Sequence, residues 1–323
     1  MRGSAAGAGY RLAWEARAVT ELLRCPIVAT VTPFRRSGVV DLPALSDYLG
    51  LLKAVGVESI LVNGTTGEFA SLTVRERIRV AEHCRGGWSG RLVVHVGSCA
   101  VADAAELGRH ASAFADGVAV MNPYFYAHAC KAGMASYFAA VLPSCTRPTL
   151  LYNFPRHTQA PIPPYLVAQL VRQFPQVIGV KDSGKDRAVT REYRTVGTGF
   201  GVYVGDDRVG ARIGELGAAG VVTGAGGPIA EIPVAIAAAV ATGDIGRAQD
   251  QDLQDAFDYY TDARKRSSIS DIAFAKAATA ARLPGFPTQV RPPLVAASTG
   301  QMREIHAVVR STLTRYAARG LGG

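Results

Sequence analysis

Short runs of apolar, β-branched residues recur along the chain, at residues 27–31, 59–62, 92–96, 117–121, 149–152, 177–180, 201–204 and 220–223. Amphipathic stretches with helical spacing separate them, at 42–55, 75–84, 102–114, 134–142 and 164–174. Strands that alternate with helices predict parallel βα units. Strands that are apolar throughout predict a sheet covered on both faces. Eight such units close into a (β/α)8 (TIM) barrel. The pattern changes after the eighth run. Residues 228–241, 245–264, 271–281 and 299–318 all read as helices, separated by Thr242-Gly243-Asp244, Ser267-Ser268 and the proline-rich 284–293. The first helix completes the barrel and the others form a C-terminal helical extension. The expected organisation is a leader over 1–24, a barrel over 25–242 and an extension over 243–323.

Composition narrows the classes of function. The chain has 323 residues, 48% of them hydrophobic, enough for a large core. No apolar run approaches the ~18–20 residues of a membrane helix. The Gly/Ala-rich start lacks the apolar core of a secretory signal, so a soluble cytoplasmic protein is expected. The net charge is +9, but the basic residues are mostly scattered arginines without interleaved aromatics, which argues against nucleic acid and for an anionic substrate. The five cysteines form no close pair, and the six histidines lack metal-ligand spacing. Neither a disulfide framework nor a metal site is expected.

Barrel chemistry sits where strands end, and several polar groups follow the strands here. After the second strand comes Asn63-Gly64-Thr65-Thr66-Gly67-Glu68, whose hydroxyls and backbone N–H groups suit a carboxylate, although an ordinary Gly/Thr turn has the same composition. After the fifth comes Tyr152-Asn153-Phe154-Pro155, where the phenol is either a core residue or a proton carrier. The sixth strand runs into Lys181-Asp182-Ser183-Gly184. A lysine there points into the barrel mouth, where desolvation disfavours an ammonium, as imine chemistry requires. The competing interpretation is a lysine that snorkels to solvent or pairs with Asp182. The chain has only six lysines against 29 arginines, and arginine cannot form an imine. Gly205-Asp206-Asp207 and Gly224-Ala225-Gly226-Gly227 follow the last two strands.

Together these motifs resemble the dihydrodipicolinate synthase / N-acetylneuraminate lyase superfamily. The matching residues are Gly64-Thr65-Thr66-Gly67-Glu68, Tyr152-Asn153-Phe154-Pro155, Lys181-Asp182, Gly205-Asp206-Asp207 and the opening Thr30-Val31-Thr32-Pro33-Phe34. The resemblance implies a Schiff base between Lys181 and pyruvate or another 2-oxo acid. Thr65 and Thr66 would hold the carboxylate, Tyr152 would move protons, and Gly205 and Val222 would line the imine pocket. It implies an aldehyde as second substrate, no metal or organic cofactor, and assembly as a homotetramer or dimer. Two positions depart from the synthase pattern: Phe125 stands where a second tyrosine joins a proton relay, and His157 where an arginine binds the second carboxylate. Both remain candidate substrate contacts. The Tyr-Asn-Phe-Pro and Lys-Asp-Ser forms look closest to the 2-keto-3-deoxy sugar acid aldolases. An aldolase is therefore expected first, with the synthase, a dehydratase and a non-catalytic 2-oxo acid binder as alternatives.

Overall fold

The structure is a computed structural model that describes residues 23–242 and 247–318. Eight parallel strands close a barrel: β1 (Ile27–Ala29), β2 (Ser59–Val62), β3 (Arg91–His95), β4 (Gly117–Met121), β5 (Thr149–Asn153), β6 (Val177–Asp182), β7 (Gly201–Val204) and β8 (Gly220–Thr223). Four of these strands carry the bounds expected from the sequence. β6 is two residues longer than the apolar run, because Lys181 and Asp182 stay in the ladder opposite Tyr152 and Asn153 of β5 and Tyr203 and Val204 of β7. A polar side chain at a strand end leaves the backbone free to pair, so hydrophobicity alone understates strand length.

The outer helices are α1 (Leu42–Ala54), α2 (Val74–Gly87), α3 (Val101–Ser112), α4 (Lys131–Val141), α5 (Pro164–Gln173), α6 (Arg187–Tyr193) and α7 (Glu231–Thr242). α2 begins at a capping box in which Thr73 accepts from the Glu76 N–H and Glu76 accepts from the Thr73 N–H. After β7 the helix shrinks to one turn, Ile213–Leu216. That turn and α6 are too short to show a helical period in the sequence.

Strand side chains alternate between two cores. Val28, Ile60, Val94, Val118, Leu151, Val180 and Val202 face the helices. Ile27, Ala29, Leu61, Val93, Ala119, Leu150, Tyr203 and Val222 fill the barrel interior. Leu23, counted with the leader from the sequence, is buried against that interior set; residues 1–22 lie outside the described residues. The filled interior forms a floor, so a ligand can enter only from the mouth.

Beyond α7 lie α8 (Arg247–Arg266), α9 (Asp271–Ala280) and α10 (Thr299–Ala317). They share an apolar core built on Leu253, Phe257, Tyr260, Phe274, Ile305 and Val309. This extension reaches back to the mouth of the barrel. The Gln254 amide donates to the Asp207 carbonyl (3.0 Å) in the loop after β7. Arg291, between α9 and α10, pairs with Glu76 at the start of α2 (2.5 Å). The Arg291 hydrogen bonds pull the Glu76 carboxyl down to about 2 from an ordinary value of 4.5. A lowered carboxylate stabilises the fold fully above its unfolded pKa and loses that contribution as pH falls through its folded value. An acid titration followed by circular dichroism should therefore show stability falling from pH 4.5 towards 2, with Glu76→Gln flattening that limb. An unchanged profile in the variant would contradict this assignment.

No helix among the described residues is long and apolar enough to cross a membrane.

Candidate active site

Lys181 lies on β6 with the parity that turns it into the barrel, two residues after Gly179 and out of phase with outward-facing Val180. Its side chain is buried, at 6% exposure. The amine sits 3.6 Å from the ring centroid of Tyr152, its ladder neighbour on β5. The phenol of Tyr152 in turn lies 3.2 Å from the Thr65 hydroxyl. Strands β2, β5 and β6 thus bring an amine, a phenol and a hydroxyl together.

Asp182 does not pair with Lys181. Its Oδ1 accepts from the Asn153 amide and the Gly184 N–H, both at 2.9 Å, and its Oδ2 accepts from the Thr190 hydroxyl at 2.6 Å. These bonds tie the β5, β6 and α6 ends together. They also leave Lys181 without a carboxylate partner among the described residues. The other lysines differ: Lys185 pairs with Asp206, Lys276 pairs with Glu68, Lys131 donates to the Pro161 carbonyl, and Lys53 and Lys265 are exposed. Among the described residues, Lys181 is the buried lysine with no carboxylate partner.

The loop carrying the threonines has a defined shape. Asn63 and Glu68 at its ends both take left-handed backbone, with φ of 56° and 57°. Inside it, Gly67 N–H donates to the Gly64 carbonyl and Glu68 N–H to the Thr65 carbonyl, both at 3.0 Å. Gly67 packs so closely on the loop after β1 that a Cβ there would lie 3.2 Å from the Thr30 carbonyl. Thr65 and Thr66 remain half-exposed at the mouth, and the Thr66 hydroxyl lies against Gly224 of the β8 loop, where an added Cβ would meet it at 3.1 Å.

Gly205 continues the ladder by donating its N–H to the Asp182 carbonyl (2.7 Å), and a Cβ on it would stand 2.1 Å from the Ser183 hydroxyl. It is therefore a close-approach glycine beside Lys181's own strand. Val222 belongs to the apolar layer with Tyr203 and Ile27. His157 lies on the helical turn Pro155–Thr158, edge-on to Phe154 at 4.2 Å, and Phe154 stacks on Tyr152 at 5.8 Å. Partial burial and the neighbouring Arg156 charge push the His157 imidazole below its ordinary pKa. Phe125 stands apart from this cluster, 78% exposed and edge-on to Tyr126.

One further residue, absent from the candidates above, belongs to the site. His95, at the end of β3, is fully buried and edge-on to both Tyr152 (5.7 Å) and Phe69 (4.5 Å). Its Nδ1 lies 2.9 Å from the Asn63 carbonyl, which requires the proton on that nitrogen. Burial, then the Arg77 charge, pushes its pKa well below the ordinary value, so the ring is neutral. A scan for metal spacing passes over such a residue. Its signal is the two-residue period: Val93 faces the barrel interior, so His95 does too.

The fold and this cluster define a (β/α)8 barrel with a buried lysine in its mouth, flanked by a phenol and a hydroxyl. The chain belongs to the Dihydrodipicolinate synthetase family, whose model matches residues 23–312. It is 31% identical over 222 residues (67% of this chain, 73% of the other) to the probable 2-dehydro-3-deoxy-D-pentonate aldolase YjhH of Escherichia coli K12. It is 33% identical over 199 residues (60% and 68%) to the 4-hydroxy-tetrahydrodipicolinate synthase of Bacillus subtilis 168. Among solved structures, YagE of Escherichia coli K12, a family member in complex with pyruvate, matches with TM-score 0.82 and 24% identity over 90% of this chain and 99% of its own.

Proposed function

We propose that this chain is a Schiff-base-forming class I aldolase or lyase that makes or breaks a carbon–carbon bond between pyruvate and an aldehyde. Lys181 is the nucleophile and Tyr152 the proton carrier. Thr65 and Thr66 hold the 2-oxo acid's carboxylate. Gly205 leaves room for the substrate's approach, and Val222 forms part of the apolar floor. Membership of a family whose relatives include an aldolase and a synthase supports a carbon–carbon lyase. The observation that carries the residue assignment is the buried, unpaired Lys181 amine 3.6 Å over the ring whose phenol meets Thr65.

In the cleavage direction the Lys181 amine adds to C2 of a 4-hydroxy-2-oxo acid, and protonation with loss of water leaves a protonated imine. Removal of the C4 hydroxyl proton drives the C3–C4 electrons into that imine. The aldehyde departs and an enamine remains. The Tyr152 phenol is placed to relay the proton, and proton return to C3 followed by hydrolysis releases pyruvate. The neutral His95 ring beside Tyr152 adds no competing positive charge to the imine pocket. Phe125 has no hydroxyl with which to extend a relay. This favours the aldolase over the synthase reading, and His157, edge-on to Phe154 beside Tyr152, is the contact to the aldehyde portion.

The test is pyruvate release. A panel of 2-keto-3-deoxy sugar acids and simpler 4-hydroxy-2-oxo acids should contain a substrate that yields pyruvate in stoichiometry with aldehyde. In parallel, borohydride with pyruvate should add a pyruvyl mass to the peptide holding Lys181. Binding of 2-oxo acids with neither turnover nor adduct would sink the proposal.

A further inference from the structure

The loop that presents Thr65 and Thr66 is held from outside the barrel. Glu68, at its end, is buried and left-handed. One of its carboxylate oxygens lies 2.5 Å from the ammonium of Lys276 on α9. The other accepts from the Arg291 N–H at 3.0 Å. Both side chains of the Glu68–Lys276 pair are essentially inaccessible, at 1% and 0%. Lys276 also donates to the Gln289 carbonyl (2.7 Å) and lies 4.1 Å over the Phe34 ring. The Arg291 guanidinium lies 4.6 Å over the same ring and donates to the Ser71 carbonyl (2.7 Å) just beyond the loop.

A barrel loop can be closed with local turns, so nothing in the fold demands a buried ion pair here. Such a pair is weak evidence for stability, because desolvation offsets most of its attraction, but its fixed geometry can specify one conformation. Left-handed backbone at a glutamate is uncommon and persists only where surroundings impose it. The opposite end of the loop is imposed in the same way: left-handed Asn63 receives the His95 imidazole N–H on its carbonyl and donates its own amide to the Arg77 carbonyl (2.8 Å). The two threonines are thus suspended between two buried polar anchors.

We infer that the C-terminal extension is part of the substrate-binding apparatus: Lys276 and Arg291, acting through Glu68, are positioning residues that set the Thr65–Thr66 cradle for the 2-oxo acid's carboxylate. The inference rests on the cradle role proposed above. It assigns the extension work at the mouth of the barrel besides packing of its own core. Lys276 contacts no substrate, so its loss acts on binding more than on chemistry.

The experiment measures borohydride trapping of pyruvate on the full chain as a function of pyruvate concentration. Lys276→Met removes the charge and keeps the length. Its half-saturating pyruvate should rise about tenfold, the worth of one charge-assisted hydrogen bond in positioning, while the trapping rate at saturation changes less than about twofold. Should the unpaired Glu68 prevent folding, Glu68→Gln with Lys276→Met gives an uncharged pair that tests the same rise. A control, Phe257→Leu, weakens the extension's apolar core without touching the anchor and should lower the melting temperature with half-saturation unchanged. A folded Lys276 variant with unchanged half-saturation overturns the inference, as does an equal rise in the Phe257 control. Absence of any pyruvate adduct in the wild-type chain is a different result: it overturns the proposed function and the inference with it.

Discussion

Lys181→Arg should abolish pyruvyl adduct formation and lower kcat/KM for any cleaved 2-oxo acid by more than about 10,000-fold, over ~5 kcal/mol of transition-state stabilisation. A guanidinium is permanently charged and cannot condense with a ketone, so the covalent route closes completely. The change is nonetheless mild for the fold. A guanidinium can stack over the Tyr152 ring where the lysine amine sits at 3.6 Å, and no carboxylate partner among the described residues is abandoned. Loss of activity should therefore come with a near-native melting temperature. The decisive measurement is peptide mass mapping after borohydride. An adduct that persists in the variant on Lys185 or Lys276 would show that the amine had been misassigned.

Tyr152→Phe has the second largest expected effect, and its size separates two roles for one ring. Phenylalanine keeps the face beneath Lys181, the edge contact with His95 and the stack on Phe154. Only the hydroxyl and its 3.2 Å contact with Thr65 are lost. As a structural hydrogen bond that hydroxyl is worth about 1 kcal/mol. As a proton carrier it is worth about 100- to 10,000-fold in rate, or ~3–5 kcal/mol. A kcat loss in the second range, with the adduct still mapping to Lys181 after long trapping, assigns proton transfer to the phenol. A loss below about tenfold would leave Tyr152 as packing alone.

The two variants also divide the reaction. Arginine at 181 removes the electron sink, whereas phenylalanine at 152 keeps it and slows proton movement around it. His95, edge-on to Tyr152 and held neutral by burial, packs beside that phenol without adding charge.

Much of this was legible in one dimension because it depends on neighbours in the chain. Eight apolar runs at βα spacing specify a closed parallel sheet, and a lysine that ends a buried apolar strand falls at the barrel mouth. Thr65-Thr66 beside glycines and Tyr152 at a strand end were visible as candidates, but their composition alone fits an ordinary turn and a core residue equally. Pairing across the sheet decided the rest of the immediate site. Extension of β6 through Asp182 turned that carboxylate away from the amine and onto Asn153, Gly184 and Thr190. Once the strand runs through Asp182, two-residue alternation sends Lys181 and Asp182 to opposite faces; the sequence left open only where the strand ends. His95 was hidden for a milder reason, since its inward direction follows from Val93 once the strand is known.

What tertiary structure alone determined lies at long range. Glu68 and Arg291 stand 223 positions apart, yet the N–H of one caps the carboxylate of the other. Lys276 sits in an alanine-rich helix that is buried on all sides from Ala273 to Thr279, and nothing in that sequence names its partner. Hydrophobic periodicity reports which face of an element is buried, and a residue's type reports what chemistry it can perform. Neither reports which distant charge will be buried against it, because that depends on how the closed barrel and the returning extension meet in space.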